Sequence, residues 1–459
     1  MNFPESRSDL EHRLRKEFGT GWNRSLPIGG GLRKAAPSTC LVNFVSPDGK
    51  PRYFIPDMAK TITVATEHSG GSETWLKPWV QMKYFSFHPQ IFTAMIKRVS
   101  QDAQPGALVH VYDKEGKPFG MGLYNPKARV PLRVFHHGPE PLGEELFNTL
   151  LDRALDLRLN TLNLPEKTDA FRVIHSDGDG LSGLIIDKFN DVLSIEVHSL
   201  GIFKRLPDWL PILHERLGTK RIVIEIDEVV ASMERIKPRD IKTDEVRSVR
   251  ILEHGVKYEV NFAEGHKTGF FCDQRENRRK LAQMVNGKRV LDLCSYTGGF
   301  SISAKLNGAD EVTGVDLDEK AIAQAKRNAN INNARVEWVH CDAYSYARQM
   351  QRNGEQWDVV ILDPPKFILS REEAFEGERK YEDLNRLGIL ITKPGGLLVT
   401  CSCSGLLSFG HFEEIATKVA HREGKRLQII DRTEAGGDHP VMSNCPESQY
   451  LKLIWARVF

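Results

Sequence analysis

Five polar clusters in the C-terminal half of the chain each close an apolar, strand-like run. The clusters are Asp292-Leu-Cys-Ser-Tyr-Thr-Gly-Gly-Phe300, Asp316-Leu-Asp318, Cys341-Asp342-Ala343, Asp363-Pro-Pro-Lys366 and Thr400-Cys-Ser-Cys-Ser404. In an open parallel sheet, ligands sit outside the carboxyl ends of the strands. One aspartate at a strand end is ordinarily a helix cap or a turn former. Several aligned ends beside a Gly-Gly loop call for more than capping. Gly298 and Gly299 allow a tight turn and a close backbone approach to a ligand. Asp316 stands 18 residues after Gly298 (316 − 298), a spacing that suits a carboxylate on ribose hydroxyls. The loop is not G-x-G-x-x-G, and its acids would repel a pyrophosphate, which argues against a nicotinamide dinucleotide. Dense carboxylates suit a cationic nucleoside, and S-adenosylmethionine meets that description. Its ribose is expected at Asp316, its adenine at Asp342, and its methionine end at the loop 295–298.

The last two clusters carry reactive groups. Two prolines stiffen the chain after Asp363 and hold that carboxylate at the sheet edge. There it can bond the amino group or a protonated ring nitrogen of a base. Lys366 can pair with a phosphate or lower the pKa of a nearby thiol. Cys401 and Cys403 follow Pro394-Gly-Gly396 and a short apolar run. A thiolate at that edge is a nucleophile. Carbon-5 of cytosine cannot take a methyl group unaided, but a thiolate adding to carbon-6 makes carbon-5 enamine-like. Cys401 and Cys403 share side-chain parity, so periodicity does not choose between them. Cys401 and the Cys294 side chain read as core packing.

These clusters need a scaffold. From Val256 onward the pattern alternates strands (290–293, 311–315, 336–340, 359–362, 397–400) with helices (300–307, 319–332), which predicts a doubly wound α/β domain. Upstream, 107–112, 119–124 and 130–135 read as short strands broken by turns, a small β-barrel. Leu142–Leu159 carries apolar residues at helical spacing. Strands at 183–187, 192–197 and 221–226 and a helix near 203–217 suggest an α+β middle domain. The charged, aperiodic stretch 233–250 reads as a linker. The domains are then a 1–77 extension, a 78–138 barrel, a 139–250 middle domain and a 251–459 ligand domain. In the extension, 8–18 reads as a short charged helix, Gly29-Gly-Gly31 as a break, Pro47–Lys50 as a hairpin and His68–Glu73 as a loop.

The 459 residues carry 63 Lys plus Arg against 61 Asp plus Glu, a net charge of +2. Nucleic-acid contact must therefore come from a local basic face rather than bulk charge. No run of 18 apolar residues suggests a membrane span, and the first residues lack an apolar signal core. Seven scattered cysteines do not form a disulfide framework, and Cys401-Ser-Cys403 lacks metal spacing. A reducing, cytoplasmic setting is expected, with no metal.

Lys267-Thr-Gly-Phe-Phe-Cys-Asp-Gln-Arg-Glu-Asn277, Val290–Phe300, Asp363-Pro-Pro-Lys-Phe367 and Thr400-Cys-Ser-Cys-Ser-Gly405 together resemble the RlmI-type large-subunit rRNA cytosine-C5 methyltransferases. Asp438-His-Pro-Val441 and Tyr450-Leu-Lys452 belong to the same likeness. His88-Pro-Gln-Ile-Phe92 and Gly122-Leu-Tyr-Asn-Pro126 resemble the family's RNA-binding PUA domain, and Asp177–Asp187 its middle domain. The likeness runs from about residue 80 to 459. It implies catalytic roles for Cys403, Asp363 and Lys366. It selects Cys403 because the family's cysteine follows a Gly-Gly by seven residues, as Cys403 follows Gly396 here. Lys366 stands where many relatives carry a second cysteine, so product release needs another base. The expected cofactor set is Gln274, Arg275, Asp292, Cys294, Ser295, Tyr296, Thr297, Gly298, Asp316, Leu317, Asp342, Ala343 and Asp363. Large-subunit rRNA is the implied partner and a homodimer the implied assembly.

Three other readings stay open. An Asp-Pro-Pro loop also resembles enzymes that methylate nitrogens, so guanine-N7 methylation is the runner-up. The chain could instead be a non-catalytic ribosome-assembly factor, or, more remotely, a nicotinamide oxidoreductase. RNA would meet Arg129, Arg133 and His136, the 233–250 stretch, and Arg275, Arg278, Arg279 and Lys280.

Overall fold

The computed structural model describes residues 72–262 and 270–459. The expected features within 1–71, and Lys267–Gly269 of the matched motif, lie outside the described residues. Among the described residues, no helix is long and apolar enough to cross a membrane.

Strands β1 (Trp79–Met82), β2 (Gln90–Ile91), β3 (Ile96–Val99), β4 (Ala107–Tyr112), β5 (Pro118–Tyr124) and β6 (Leu132–His137) form one sheet in the order β2-β6-β5-β4-β1-β3. Val80, Met82, Ile91, Val109, Val111 and Leu132 fill a core that every strand of this sheet encloses. It is the PUA-like barrel. The reverse turns that make its hairpins sit at Asp113–Lys117, where Asp113 Oδ1 accepts from the backbone N–H groups of Glu115 and Lys117, and at Asn125–Pro131.

The middle sheet runs β10-β9-β8-β7, from β7 (Ala170–His175), β8 (Leu184–Phe189), β9 (Val192–Val197) and β10 (Arg221–Glu225). Helices Glu145–Asp156 and Leu200–Leu217 cover it, their apolar stripes meeting Ile174, Ile186, Ile195 and Val197 in one cluster. Strand β7 was not legible as a strand. The stretch 233–250 is not a loose linker. Its Asp244 bonds both backbone groups of Ile222, at 2.8 and 2.9 Å, and so lines the edge of β10, while Glu234 is buried and accepts from Asn125 Nδ2 and Leu200 N. It leads into a hairpin, β11 (Ser248–Glu253) with β12 (Val256–Asn261).

The last sheet holds β13 (Arg289–Leu293), β14 (Glu311–Asp316), β15 (Glu337–His340), β16 (Trp357–Leu362), β17 (Thr392–Ser402), β18 (Leu427–Thr433) and β19 (Lys452–Val458), in the order β15-β14-β13-β16-β17-β19-β18. The first five of that order are parallel, and β19 enters antiparallel between β17 and β18. The central strands are mostly apolar because both faces are covered. Leu291, Leu293, Val360, Leu362 and Leu398 point into one helix layer, while Val290, Val359, Ile361, Leu397 and Val399 point into the other. This is the doubly wound domain that the sequence predicts. Its parallel register brings the carboxyl ends of β13, β14, β15, β16 and β17 to one edge.

Candidate active site

The loop after β13 is backbone held in a costly shape. Cys294, Tyr296 and Gly298 have φ of 66°, 48° and 86°. Left-handed conformations at two non-glycine residues need surrounding contacts to hold them. Here Ser295 N donates to Val315 O at 2.9 Å and Tyr296 N to Asp316 Oδ2 at 2.7 Å. Asn328 Nδ2 clamps the carbonyl of Thr297 at 3.1 Å. The glycine at 298 has a reason within the fold as well. A Cβ there would stand 2.6 Å from Trp338 Cη2, so the site needs both a left-handed turn and room for that ring.

Behind the loop, Asp292 is almost fully buried. Its Oδ2 accepts from Ser301 N at 3.1 Å and Ser301 Oγ at 2.6 Å, while Oδ1 has no partner. Burial, with Asp363 and Asp316 adding repulsion, pushes its carboxyl up to about 7. Ser295 Oγ is also buried and unpartnered. Asp316, raised mainly by burial, bonds the N–H groups of Tyr296 and Asp318. Its carboxylate therefore shapes the loop as well as facing the edge. Leu317 beside it is 67% exposed, an apolar surface at a polar rim. Asp342 caps the helix Ala343–Arg352 through Ser345 N at 2.8 Å, so its Oδ2 has the ordinary capping job. Ala343 is buried in that helix's first turn.

At the end of β16, Asp363 Oδ1 accepts from Gln274 Nε2 at 3.1 Å. Burial and the nearby Asp273 carboxylate push Asp363 up to about 7, against lesser opposing contributions from Gln274, Arg278 and Cys401. Gln274 is fixed in turn by Asn277, 2.8 Å away. Asp273 receives the Tyr450 hydroxyl at 2.6 Å and keeps its other oxygen buried without a partner. Asp273 and Tyr450 were given no role by the sequence reading. The signal was present, since Asp273 adjoins Gln274 in the matched motif.

The two cysteines differ in depth rather than direction. Cys401 lies inside β17, 1% exposed, and burial followed by Asp363 drives its thiol far up. Cys403 lies one step past the strand end, partly exposed, with Sγ 3.9 Å from the Pro364 carbonyl of the Asp-Pro-Pro loop. Its flanking serines turn the other way. Ser402 and Ser404 are fully buried and both bond the Tyr381 hydroxyl at 2.9 Å, and Ser404 Oγ accepts from Ile368 N at 3.1 Å. Alternation then aims Cys403 at the edge. Beneath it, Lys452 Nζ donates to the carbonyls of Ser404 and Tyr450, each at 2.8 Å. Burial pulls this ammonium down to about 8, against Cys403 and Glu434, with Lys366 close enough to lower it further. Lys366 is half-buried on the same loop as Asp363.

Four of the expected basic contacts are engaged within the protein. Arg275 is fully buried and grips both oxygens of Asp438 at 2.8 and 3.0 Å. Its guanidinium is thus committed to Asp438, away from both the expected cofactor role and RNA. Arg278 is buried against Glu253 at 2.6 and 2.7 Å, and Lys280 pairs with Asp431. Arg133 is buried too, donating to Ser182 Oγ at 3.0 Å and His198 O at 3.3 Å, where it joins the barrel to the middle sheet. Burying a cation is costly without partners, which is why Arg275 and Arg278 meet acids and Arg133 meets polar oxygens.

Residues 239–452 match a family described as S-adenosylmethionine-dependent methyltransferase, and residues 75–137 match a PUA-like domain. The chain is 35% identical over 378 residues to ribosomal RNA large subunit methyltransferase I of Aliivibrio fischeri, covering 81% of this chain and 95% of that one. It is 32% identical to the Escherichia coli protein of the same name, with the same coverage. Among solved structures, it resembles an S-adenosylmethionine-dependent methyltransferase from Streptococcus mutans at a TM-score of 0.67 and 22% identity, covering 82% of this chain and 100% of that one. It also resembles the methyltransferase SMU.776 complexed with SAH at a TM-score of 0.66 and 23% identity, covering 78% and 93%.

Proposed function

The chain belongs to the S-adenosylmethionine-dependent methyltransferases of the ribosomal RNA large subunit methyltransferase I family, and we propose that it methylates carbon-5 of a cytosine in large-subunit rRNA through a covalent adduct with Cys403. The observation that carries this reading is the placement of Cys403. Its thiol meets the Asp-Pro-Pro loop at the sheet edge, between two serines anchored on Tyr381.

The residues at the edge fit the cofactor. Partnerless oxygens on Asp292 and Ser295 invite polar donors, and three neighbouring carboxylates suit a sulfonium and an ammonium. Asp316 would hold the ribose, Leu317, Asp342 and Ala343 would border the adenine, and Asp292 with the 294–298 backbone would hold the methionine end. When bound, S-adenosylmethionine supplies an electrophilic methyl group. Asp363, kept in place by Gln274, accepts a hydrogen bond from the cytosine amino group. The Cys403 thiolate adds to carbon-6, and the π electrons move to carbon-5, which takes the methyl. The carbon-5 proton then leaves to a base while the carbon–sulfur bond breaks and the ring double bond reforms. The Lys452 ammonium, under the Cys403 loop, favours the thiolate. Lys366, half-buried on the Asp-Pro-Pro loop, would meet a phosphate of the incoming nucleic acid.

RNA would be held by phosphate contacts while the target base swings into the pocket. On the barrel, Tyr84, Phe85 and Phe87 are exposed and offer stacking faces for unpaired bases. Arg129 and the exposed charges of 233–250 would face the phosphates. A cytoplasmic site of action follows from an rRNA substrate.

The test incubates the protein with labelled S-adenosylmethionine and large-subunit rRNA from a strain lacking the enzyme, then digests the RNA for nucleoside mass spectrometry. Labelled 5-methylcytidine is expected. Labelled methylguanosine would overturn the covalent mechanism while keeping the cofactor. RNA binding without any cofactor binding would favour the assembly-factor reading.

A further inference from the structure

Three metal-ligand groups converge where the barrel meets the C-terminal segment. His88 comes from the loop before β2, and Cys445 and Glu447 come from the loop before β19. Their candidate ligand atoms all lie within 4.8 Å of one another. His88 Nε2 is 3.3 Å from Glu447 Oε2, and Cys445 Sγ is 3.8 Å from the same oxygen. A tetrahedral zinc ion with bonds of about 2.0–2.3 Å spaces its ligand atoms roughly 3.3–3.7 Å apart. Two of the three separations are therefore already close to the edges of a tetrahedral face.

We propose that His88 Nε2, Cys445 Sγ and Glu447 Oε2 bind a divalent transition metal, zinc by its ligand set, which clips the RNA-binding barrel to the methyltransferase domain.

Imidazole, thiolate and carboxylate together suit zinc better than magnesium or calcium, which prefer oxygen. The His88 ring is oriented by its other nitrogen, since Nδ1 accepts from Gln90 N at 3.0 Å and lies 3.3 Å from the Gln90 carbonyl. The same corner keeps two buried oxygens without hydrogen-bond partners, Asp177 Oδ1 and Asn444 Oδ1. Both residues are tied to the barrel by their other atoms, Asp177 through Gln90 at 2.9 Å and Asn444 through the Phe87 carbonyl at 2.7 Å. The negative charge of Asp177 is felt at the Cys445 sulfur. Glu447 is exposed, so water can take the fourth position. On capture, the Cys445 S–H bond breaks, a sulfur–metal bond forms, and the proton passes to water.

The test strips the full-length protein with a chelator, removes the chelator, and titrates it with cobalt(II) as a spectroscopic stand-in, then with zinc. One equivalent of cobalt should bind with a thiolate-to-cobalt absorption band in the near ultraviolet, and zinc should bleach it. Cys445→Ser should lose the band, and Glu447→Gln should weaken binding at least tenfold. Glu447 is a surface side chain, so its variant keeps the fold if Cys445→Ser does not. The proposal fails if the wild type shows no band, or if both variants keep wild-type affinity and spectrum. The trio is then a hydrogen-bonded clip without metal.

Discussion

Two places in the C-terminal domain bury carboxylates, and they do opposite things with them. At the sheet edge, no cation among the described residues touches Asp292 or Asp363 directly, and burial raises both to about 7. At the junction with the middle sheet, Asp438 is more deeply buried, yet it is held well below the ordinary carboxylate range. Burial pushes it up, but His439 and the two-pronged Arg275 outweigh that. The backbone N–H of Arg172 also reaches Asp438 Oδ2 at 2.9 Å, and Arg158 donates to the Asp438 carbonyl at 2.5 Å. Arg158 and Arg172 have their own acids, Asp179 and Asp187. The junction is closed electrostatically. The edge is left with unmet charge, and that deficit is what a cationic cofactor and a polar base can fill. Stability sits at one place and reactivity at the other.

That contrast can be broken by mutation. Cys403→Ala should lower methyl transfer at least about 1,000-fold while leaving the denaturation midpoint and cofactor affinity near wild type. A parallel fall in stability would show that the edge is structural after all. Asp438→Asn should do the reverse. Removing one partner of a buried pair leaves Arg275 uncompensated and should cost roughly 3–5 kcal/mol in urea denaturation, with the specific activity of the folded fraction largely kept.

A subtler separation uses pH. Asp363 must be ionised to accept from a cytosine amino group, so kcat/KM should rise as pH rises through about 7. Asp363→Asn should erase that limb and reduce the rate about 100-fold at pH 8. The smallest effect is on stability. A buried acid raised from 3.8 to about 7 binds its proton more tightly in the folded state, so its contribution to stability declines as pH rises between those values. Asp292→Asn should remove that decline, making the variant more favourable relative to wild type at pH 8 than at pH 5 in matched urea titrations. Asp438 has the opposite sign. Its contribution is present above 3.8 and is lost only in stronger acid.

The parallel sheet was legible because β13, β14 and β16 are apolar runs with polar ends, and period and punctuation suffice for those. The sequence left β7, β18 and β19 unread, and with them the antiparallel insertion beside β17. Strand β18 alternates as an amphipathic edge, so it carries a weak signal between charged neighbours. The Asp438 network was illegible for a different reason. Arg158 and Arg275 meet Asp438 across 280 and 163 residues, and no local spacing encodes such pairs. Arginines default to the surface, so Arg275 and Arg278 read as ligand or RNA contacts until burial places them inside. Cys401 and Cys403 show the limit of periodicity. Parity puts them on one side, and only the end of the strand separates a core thiol from an edge thiol.

The insertion of β19 also sets an order of assembly. In the described sheet, β18 pairs only with β19, and β19 reaches β18 only after lying along β17. Neither outer strand can be lost singly from the inner side. A protease cut that removes β19 would also strand β18, and would take away the lysine beneath the Cys403 loop. Damage there should therefore read out as an all-or-none loss of the enzyme, with no partly active nicked form surviving to occupy RNA unproductively.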